Sequence, residues 1–445
     1  MLKTFSIGGV HPHEDKLSAH QAIVAADIPQ RVAVMLSQHI GAPAKPVVGK
    51  GDTVKVGTRI AEPGGFVSAA IHSPVSGKVL KIDSIIDAGG YAKPAIFIEV
   101  IGDEWEESID RTDTLIKGCT LASEEIVKKI AAAGIVGMGG ACFPTQVKLT
   151  PPPAFKAECI IINAVECEPY LTADHQLMLE HGEEIMEGVS ILMKAVKVNK
   201  AFIGIENNKP DAIKWMTKIA GNYAGIEVIP LKVKYPQGGE KQLIDAIIRR
   251  QVSGGALPIS TGAVVQNVAT AYAVYQAVQK NKPLIERVVT VTGKSVAKPS
   301  NILARIGTPM QQLIEQSGGL PEDTGKIIGG GPMMGKALVN TEVPITKGSS
   351  GILMMSRQEA KRSSVQPCIR CAKCVGACPM GLEPYLLSAL AEHAEFERME
   401  KEKIMDCIEC GSCQFTCPAS RPLLDYCRLG KNRVGALIRA RQTKS

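Results

Sequence analysis

Cys368-Ile369-Arg370-Cys371-Ala372-Lys373-Cys374-Val375-Gly376-Ala377-Cys378-Pro379 and Cys407-Ile408-Glu409-Cys410-Gly411-Ser412-Cys413-Gln414-Phe415-Thr416-Cys417-Pro418 share one spacing, C-x2-C-x2-C-x3-C-P. Thiolates are soft ligands that suit iron–sulfur clusters. Three cysteines two residues apart let one short loop wrap three corners of a four-iron cube, and the fourth, held past the loop by proline, ligates the other cube of a pair. The spacing therefore predicts two [4Fe-4S] clusters with interleaved ligands. Cys368, Cys371, Cys374 and Cys417 serve one, and Cys407, Cys410, Cys413 and Cys378 serve the other. Structural zinc also uses C-x2-C pairs, but it needs four ligands and no third cysteine at the same interval ahead of Cys-Pro. Between the runs, Glu383 to Lys403 reads as one helix, and Cys427 reads as a buried thiol outside the pattern.

The other four of the thirteen cysteines, Cys119, Cys142, Cys159 and Cys167, are scattered, which excludes a disulfide framework. The N-terminal stretch lacks the apolar core of a signal peptide, and no run reaches the 18 or so apolar residues of a membrane span. The expectation is a cytoplasmic protein able to dock peripherally on the cytoplasmic face of a membrane. At 445 residues the chain has room for about three domains of roughly 150 residues. Aromatics make up 4% of it, so its cores rest on aliphatic side chains. A net charge of +7, spread along the chain, excludes a nucleic-acid partner.

Working outward, the architecture reads as multidomain α/β and α+β. Residues 1–45 form an N-terminal segment with few element signals, and its His11 and His13 read as surface or packing residues rather than metal ligands. Residues 46–110 alternate strand residues with Gly, Asp and Pro turns, as small barrel-sandwich (lipoyl-like) domains do. The stretch Gly65–Ala70 lacks the lysine that would carry a lipoyl or biotinyl group, so this domain is structural. Residues 115–280 alternate helices with strands, notably Cys159–Asn163, Ala201–Ile205 and Ile226–Val233, with one helix from Thr172 to about Lys194. That alternation implies a Rossmann-like parallel sheet. Residues 285–345 form a small α+β domain with a helix over Ile306–Gly318, and 341–366 a polar connection. A helical two-cluster domain spans 360–430, and 431–445 is a basic tail.

A ligand site is expected around Gly137-Met138-Gly139-Gly140. Lys148 lies just beyond that loop, Asn163 ends a strand, and Glu166 and Glu168 follow it. Gly239 and Glu240 open a helix, and Asn267 stands within VQNVAT (265–270). Glycines let backbone N–H groups approach a phosphate, and open α/β sheets bind ligands at strand ends. Glu166 and Glu168 could equally be ordinary acids at a helix N-terminus.

The order GMGGACFPT (137–145), NAVECEP (163–169), GGEKQ (238–242), VQNVAT and then paired cysteine runs is similar to the flavin-bearing NADH-oxidising subunit of respiratory complex I. It resembles more closely, and over nearly the whole chain from GGVHPHEDK (8–16), the RnfC family. That family supplies one peripheral subunit of a membrane complex that exchanges electrons between ferredoxin and NAD while moving Na+ or H+. The resemblance implies an SLBB-like α+β domain and a ferredoxin-like cluster domain. It also implies FMN held by Gly137, Gly139, Gly140, Lys148, Asn163, Glu166, Gly239, Glu240 and Asn267, with NAD(H) as substrate beside Glu168 as the catalytic carboxylate. Partners would be the other Rnf subunits, including a ferredoxin-like iron–sulfur subunit, with ferredoxin reached indirectly. The chain departs from the complex I pattern at Met138, Val165, Lys241 and Gln266. Those departures support a rival expectation: a non-catalytic iron–sulfur relay whose α/β domain binds no nucleotide. A soluble NADH dehydrogenase with another acceptor is the third.

Overall fold

A computed structural model describes residues 2–442. Residues 443–445 of the expected basic tail lie outside the described residues. The stretch before them is no separate tail, because it continues the long helix Leu423–Gln442.

Two small sheets build the barrel-sandwich. Arg31–Met35, Ala92–Val100, Gly77–Ile86 and Thr53–Val54 form one sheet, and Lys45–Pro46, Arg59–Glu62 and Ile71–His72 the other. Strand alternation puts Val32 and Val34 opposite Ile98 and Ile96, and all four enter one aliphatic core with Ile60 and Val79. The N-terminal segment, expected to stand apart, is woven into the domains. Arg31–Met35 is an edge of this sheet, while Ile23–Ala25 pairs in parallel with Ser300–Arg305.

The α/β domain has four parallel strands in the order Ile226–Leu231, Ala201–Glu206, Cys159–Asn163, Ala263–Asn267. Ile160 and Ile162 enter the core on one face, and Cys159 and Ile161 that on the other. Burial on both faces is why this strand reads as an unbroken apolar run. The chain steps outward twice from Cys159–Asn163 and then returns to its other side. The strand order thus reverses between Asn163 and Asn267, which are register partners. Ligands bind outside the strand ends at such a reversal. The helix expected from Thr172 to Lys194 is two helices, Ala173–Glu180 and Gly182–Ala195. They break at His181, whose φ −122° and ψ 32° leave the helical region, and Gly182 then packs against Trp215, where a Cβ would fall 2.5 Å from the indole nitrogen.

A six-stranded mixed sheet with the helix Met310–Gln316 forms the α+β domain. Gly351–Ser356 lies inside it, between Glu286–Thr292 and Thr324–Gly329, which corrects the expected polar connection over 341–366. Its apolar residues Ile352, Leu353 and Met354 are buried. In the C-terminal domain the expected helix Glu383–Lys403 is also two, Pro384–Glu392 and Phe396–Lys401. The first closes with Ala394 in the left-handed region and Glu395 N–H donating to Leu390 O, a Schellman ending without the usual glycine.

Lys347 joins three of these units. Its Nζ donates to Ala70 O of the barrel-sandwich and Gly134 O at the end of the helix Ser123–Ala132, both at 2.7 Å. It is fully buried, and desolvation pulls its pKa down to about 7. The unfolded chain therefore binds this proton between about pH 7 and the ordinary lysine value of 10.5 while the folded chain does not, so its stability contribution rises with pH over that window. Lys347→Met strands two buried carbonyls, at a cost of about 1–3 kcal/mol each. Thermal melts should show a lower Tm for the variant, with the gap to wild type wider at pH 9 than at pH 6.5.

Candidate functional site

Most of the expected ligand residues meet at the carboxyl edge of the parallel sheet. The loop after the helix Ser123–Ala132 is closed by Gly137 N–H donating to Phe143 O at 2.8 Å and Met138 N–H donating to Thr270 Oγ1 at 3.0 Å. Gly139 approaches Asn267 so closely that a Cβ would lie 3.2 Å from the Asn267 Cβ, whereas Gly140, at φ +137°, faces open space. Asn267 caps the helix Val268–Gln279 by accepting from Ala269 N–H at 2.9 Å, and its Nδ2 donates to Asp174 Oδ2 at 2.7 Å. Asn163 Nδ2 donates to Gly238 O at 2.8 Å, which ties the strand end to the loop that opens the helix Glu240–Ile248. Lys148 Nζ donates to Glu240 Oε1 at 2.7 Å and to Val265 O at 3.1 Å. In this arrangement its charge is paired with a carboxylate.

The two acids diverge. Glu166, with φ +47°, accepts from the Asp174 and His175 N–H groups and so caps the helix Ala173–Glu180, the ordinary role left open for it. Glu168 Oε1 accepts from Met333 and Met334 N–H at 3.0 and 2.7 Å, on the α+β domain. Its Oε2 is buried without a hydrogen-bond partner, although the residue as a whole is half-buried. Desolvation pushes this carboxyl up to about 7 against the pull of those two N–H groups and of Lys16. Glu168 thus pins the Gly331–Met334 loop, and a direct contact with substrate requires that loop to move.

Five residues here carried no sequence signal strong enough to single them out. Lys16 Nζ donates to the carbonyls of Glu166, Glu168 and Leu171, and Lys209 Nζ to that of Val165, so two ammonium groups fix the 164–171 loop. Burial lowers Lys16 to about 8. Asp174 is raised to about 6, by desolvation first and then by Glu166, while the buried Arg287 pulls it the other way. Tyr235 stands beside Glu168 and donates to Cys410 O at 2.8 Å. Its only clue in sequence was its place three residues ahead of the Gly238-Gly239 pair.

The cysteine runs adopt matching loops. Arg370 and Ala372 flank Cys371 at φ +56° each, and Glu409 and Gly411 flank Cys410 at φ +57° and +80°. Left-handed residues at the same two places curl each loop around its thiols; three of these four are not glycine, a strain that persists only where the surroundings impose it. Backbone N–H groups already point at thiols: Leu382 to Cys378 Sγ and Glu409 to Cys407 Sγ, both at 3.4 Å. Thiols of the two runs stand close to one another. Burial raises Cys374, which faces Cys417. Burial likewise raises Cys413 to about 12, with Cys410, Cys407 and Cys378 facing it. Cys378, Cys407, Cys410 and Cys413 line one cavity, whereas Cys368 and Cys371 are exposed. The thiols ring a space instead of converging: among the described residues no three His, Cys, Asp or Glu groups close on a single-ion position.

The residues present fit both groups. Two matched thiol-lined loops suit cubes, and at the sheet edge an open glycine loop adjoins Asn267, next in the chain to Gln266, whose amide nitrogen and oxygen are both buried without partners. Such an arrangement defines a modular flavin and iron–sulfur electron-transfer protein. Comparison with known proteins makes the class specific. The RnfC barrel sandwich hybrid domain matches residues 3–103, the Nuo51 FMN-binding domain 130–276, the SLBB domain 288–337 and the 4Fe-4S dicluster domain 360–418. The RnfC protein of the proton-translocating ferredoxin:NAD(+) oxidoreductase complex of Clostridium ljungdahlii is 47% identical, over 97% of this chain and 94% of that one. Its counterpart in the Na(+)-translocating complex of Acetobacterium woodii is 44% identical, over 96% of each. The chain belongs to this RnfC family, whose members are subunits of ion-translocating ferredoxin:NAD+ oxidoreductase complexes. An NAD+-reducing [NiFe]-hydrogenase structure shares the fold at a TM-score of 0.50 and 18% identity, over 70% of this chain and 63% of that one. Among the described residues no helix is long and apolar enough to cross a membrane.

The raised Glu168 pKa predicts a pH signature. Between the ordinary carboxylate value of 4.5 and about 7 the folded chain holds a proton that the unfolded chain has lost, so stability falls as pH rises through that window. Glu168→Gln removes the titration. Melts at pH 5 and pH 8 should therefore show a smaller fall in Tm for the variant than for wild type.

Proposed function

We propose that the chain exchanges electrons between NAD(H), FMN and its two [4Fe-4S] clusters, as a peripheral subunit on the cytoplasmic face of the membrane. Its partners are the other Rnf subunits, a ferredoxin-like iron–sulfur subunit among them, with ferredoxin reached through them. A bound flavin supplies the chemistry that joins hydride transfer from nicotinamide to single-electron transfer to clusters. The loop Gly137–Gly140, Asn163, Gly239 and Asn267 hold it by backbone and amide groups. Lys148 neutralises phosphate charge once freed from Glu240.

One observation carries this reading. The sheet edge and the Cys378/Cys407/Cys410/Cys413 set share a wall. Gly238 N–H donates to Cys167 Sγ at 3.4 Å, and Cys167, Tyr235 and Cys410 pack in one apolar cluster with Val10 and Ala377. That set is therefore the inner cluster, next to the flavin. The Cys368/Cys371/Cys374/Cys417 set, with two exposed ligands, is the outer one facing the partner. The engagement of Glu168 with Met333 and Met334 favours the second reading, a relay in which the α/β domain takes no nicotinamide.

Anaerobic NADH titration of the iron- and FMN-reconstituted chain, followed by flavin absorbance and low-temperature EPR, tests both. Flavin bleaching with reduction of both clusters is expected. In Cys410→Ala the flavin should bleach while the outer cluster stays oxidised; in Cys371→Ala the inner cluster should still be reduced. Clusters that dithionite reduces but NADH leaves untouched would select the relay.

A further inference from the structure

The two interleaved sets use eight cysteines and leave Cys427 over. It stands on the helix Leu423–Gln442, 2% exposed, and lines the same cavity as Cys378, Cys407, Cys410 and Cys413. Its side chain packs in one apolar cluster with Cys378 and Cys407, so its thiol faces those ligand thiols across the cavity. One turn further along the same helix face, Lys431 Nζ donates to Cys407 O at 2.6 Å and lies 3.2 Å from Glu409 Oε1. At its sulfur this one ligand accepts from the Glu409 N–H at 3.4 Å, at its carbonyl it meets the ammonium group, and the Cys427 side chain packs beside it. The helix that carries Cys427 and Lys431 is held in place by Leu424 and by Cys427 itself, which are buried.

We infer that Cys427 is a positioning residue for the inner cluster: its S–H donates to the Cys407 ligand sulfur, and with Lys431 it raises that cluster's reduction potential. The inference rests on the two-cluster reading above. Reduction brings one electron into the cluster and no proton, and the added negative charge spreads onto the ligand sulfurs. The S–H proton remains on Cys427 throughout. Hydrogen bonds to cluster sulfurs set its potential, and bonds to a more negative acceptor are stronger, so a thiol donor at the ligand sulfur favours the reduced form; Lys431, bonded to the Cys407 carbonyl and not to its sulfur, acts in the same direction through its nearby positive charge. A thiol buried at this spot without such a role would be replaceable by any side chain of its volume.

The test is an EPR-monitored redox titration of the reconstituted full chain as wild type, Cys427→Ala, Cys427→Ser and Lys431→Met, with iron content measured for each. Cys410→Ala identifies which signal is the inner cluster's. Cys427→Ala is expected to shift the inner cluster's reduction equilibrium about tenfold toward the oxidised form, about 59 mV for one electron, and to leave the outer cluster unmoved. Cys427→Ser, which keeps a donor, should return it to within about threefold of wild type, and Lys431→Met should shift it in the same direction as Cys427→Ala. An unmoved inner midpoint in Cys427→Ala overturns the inference. So do equal shifts in the Ala and Ser variants, which would make the effect one of packing. Loss of about four irons per chain in Cys427→Ala also overturns it, because Cys427 would then be needed for assembly. A wild-type chain without any four-iron signal would instead overturn the reading beneath.

Discussion

Buried lysines that donate to main-chain carbonyls across the seams between domains are the constraint on which the rest of this structure depends. A chain with so few aromatic residues has little bulk with which to lock small domains together, and a loop that runs through an interface leaves carbonyl groups that must find donors. Lys347 supplies them between the barrel-sandwich and the α/β domain, and Lys16 and Lys209 supply them under the 164–171 loop. An ammonium group has three donors on a flexible stem, so one side chain satisfies two or three carbonyls from different elements. Burying it is unfavourable, as the lowered pKa values of Lys16 and Lys347 record. The return is geometric: Glu166, Cys167 and Glu168 project from a segment without secondary structure and still hold fixed positions.

The proposed electron path depends on that fixation. Between the strand end at Asn163 and the cavity lined by Cys378, Cys407, Cys410 and Cys413 stand Cys167 and Tyr235, with Tyr235 donating to the carbonyl of Cys410. The N-terminal Gly8-Gly9-Val10 turn closes the same place. Gly8, at φ +70°, lies where a Cβ would fall 2.5 Å from the carbonyl of Cys378, and Gly9 N–H donates to Ala377 O at 2.9 Å. Any larger residue at Gly8 would push the cysteine loop away from the α/β domain. His11 lines a neighbouring cavity with Lys16, Cys167 and Glu206.

Local signals read best where one requirement dominates. The strand Cys159–Asn163 was legible to the residue because burial on both faces leaves an uninterrupted apolar run, and the cysteine loops because ligation fixes the spacing. Elements fixed by partners far along the chain were not. The strand Gly351–Ser356 looked like a connection because its pairing partners lie tens of residues upstream. The breaks at His181 and Ala394 lie in the backbone angles of single residues, and neither shows in helical periodicity. At the site, the expected residues were those with motif-like neighbours. Lys16, Lys209, Asp174, Tyr235 and Arg287 act through contacts across the fold, which no spacing announces. Glu168 shows the limit of a motif: its position is as expected, but its carboxyl is held by a loop from another domain.

The pairing of Ile23–Ala25 with Ser300–Arg305 sets a timetable for how the molecule is made. At 5–20 residues per second, the partner strand leaves the ribosome on the order of 15–60 s after Ile23 does. The cysteine loop that receives Gly8 and Gly9 emerges later still. Residues 8–25 thus find their partners only after chain hundreds of residues further on has been made. The Gly8-Gly9 turn cannot dock until the loop at Ala377 and Cys378 has been made.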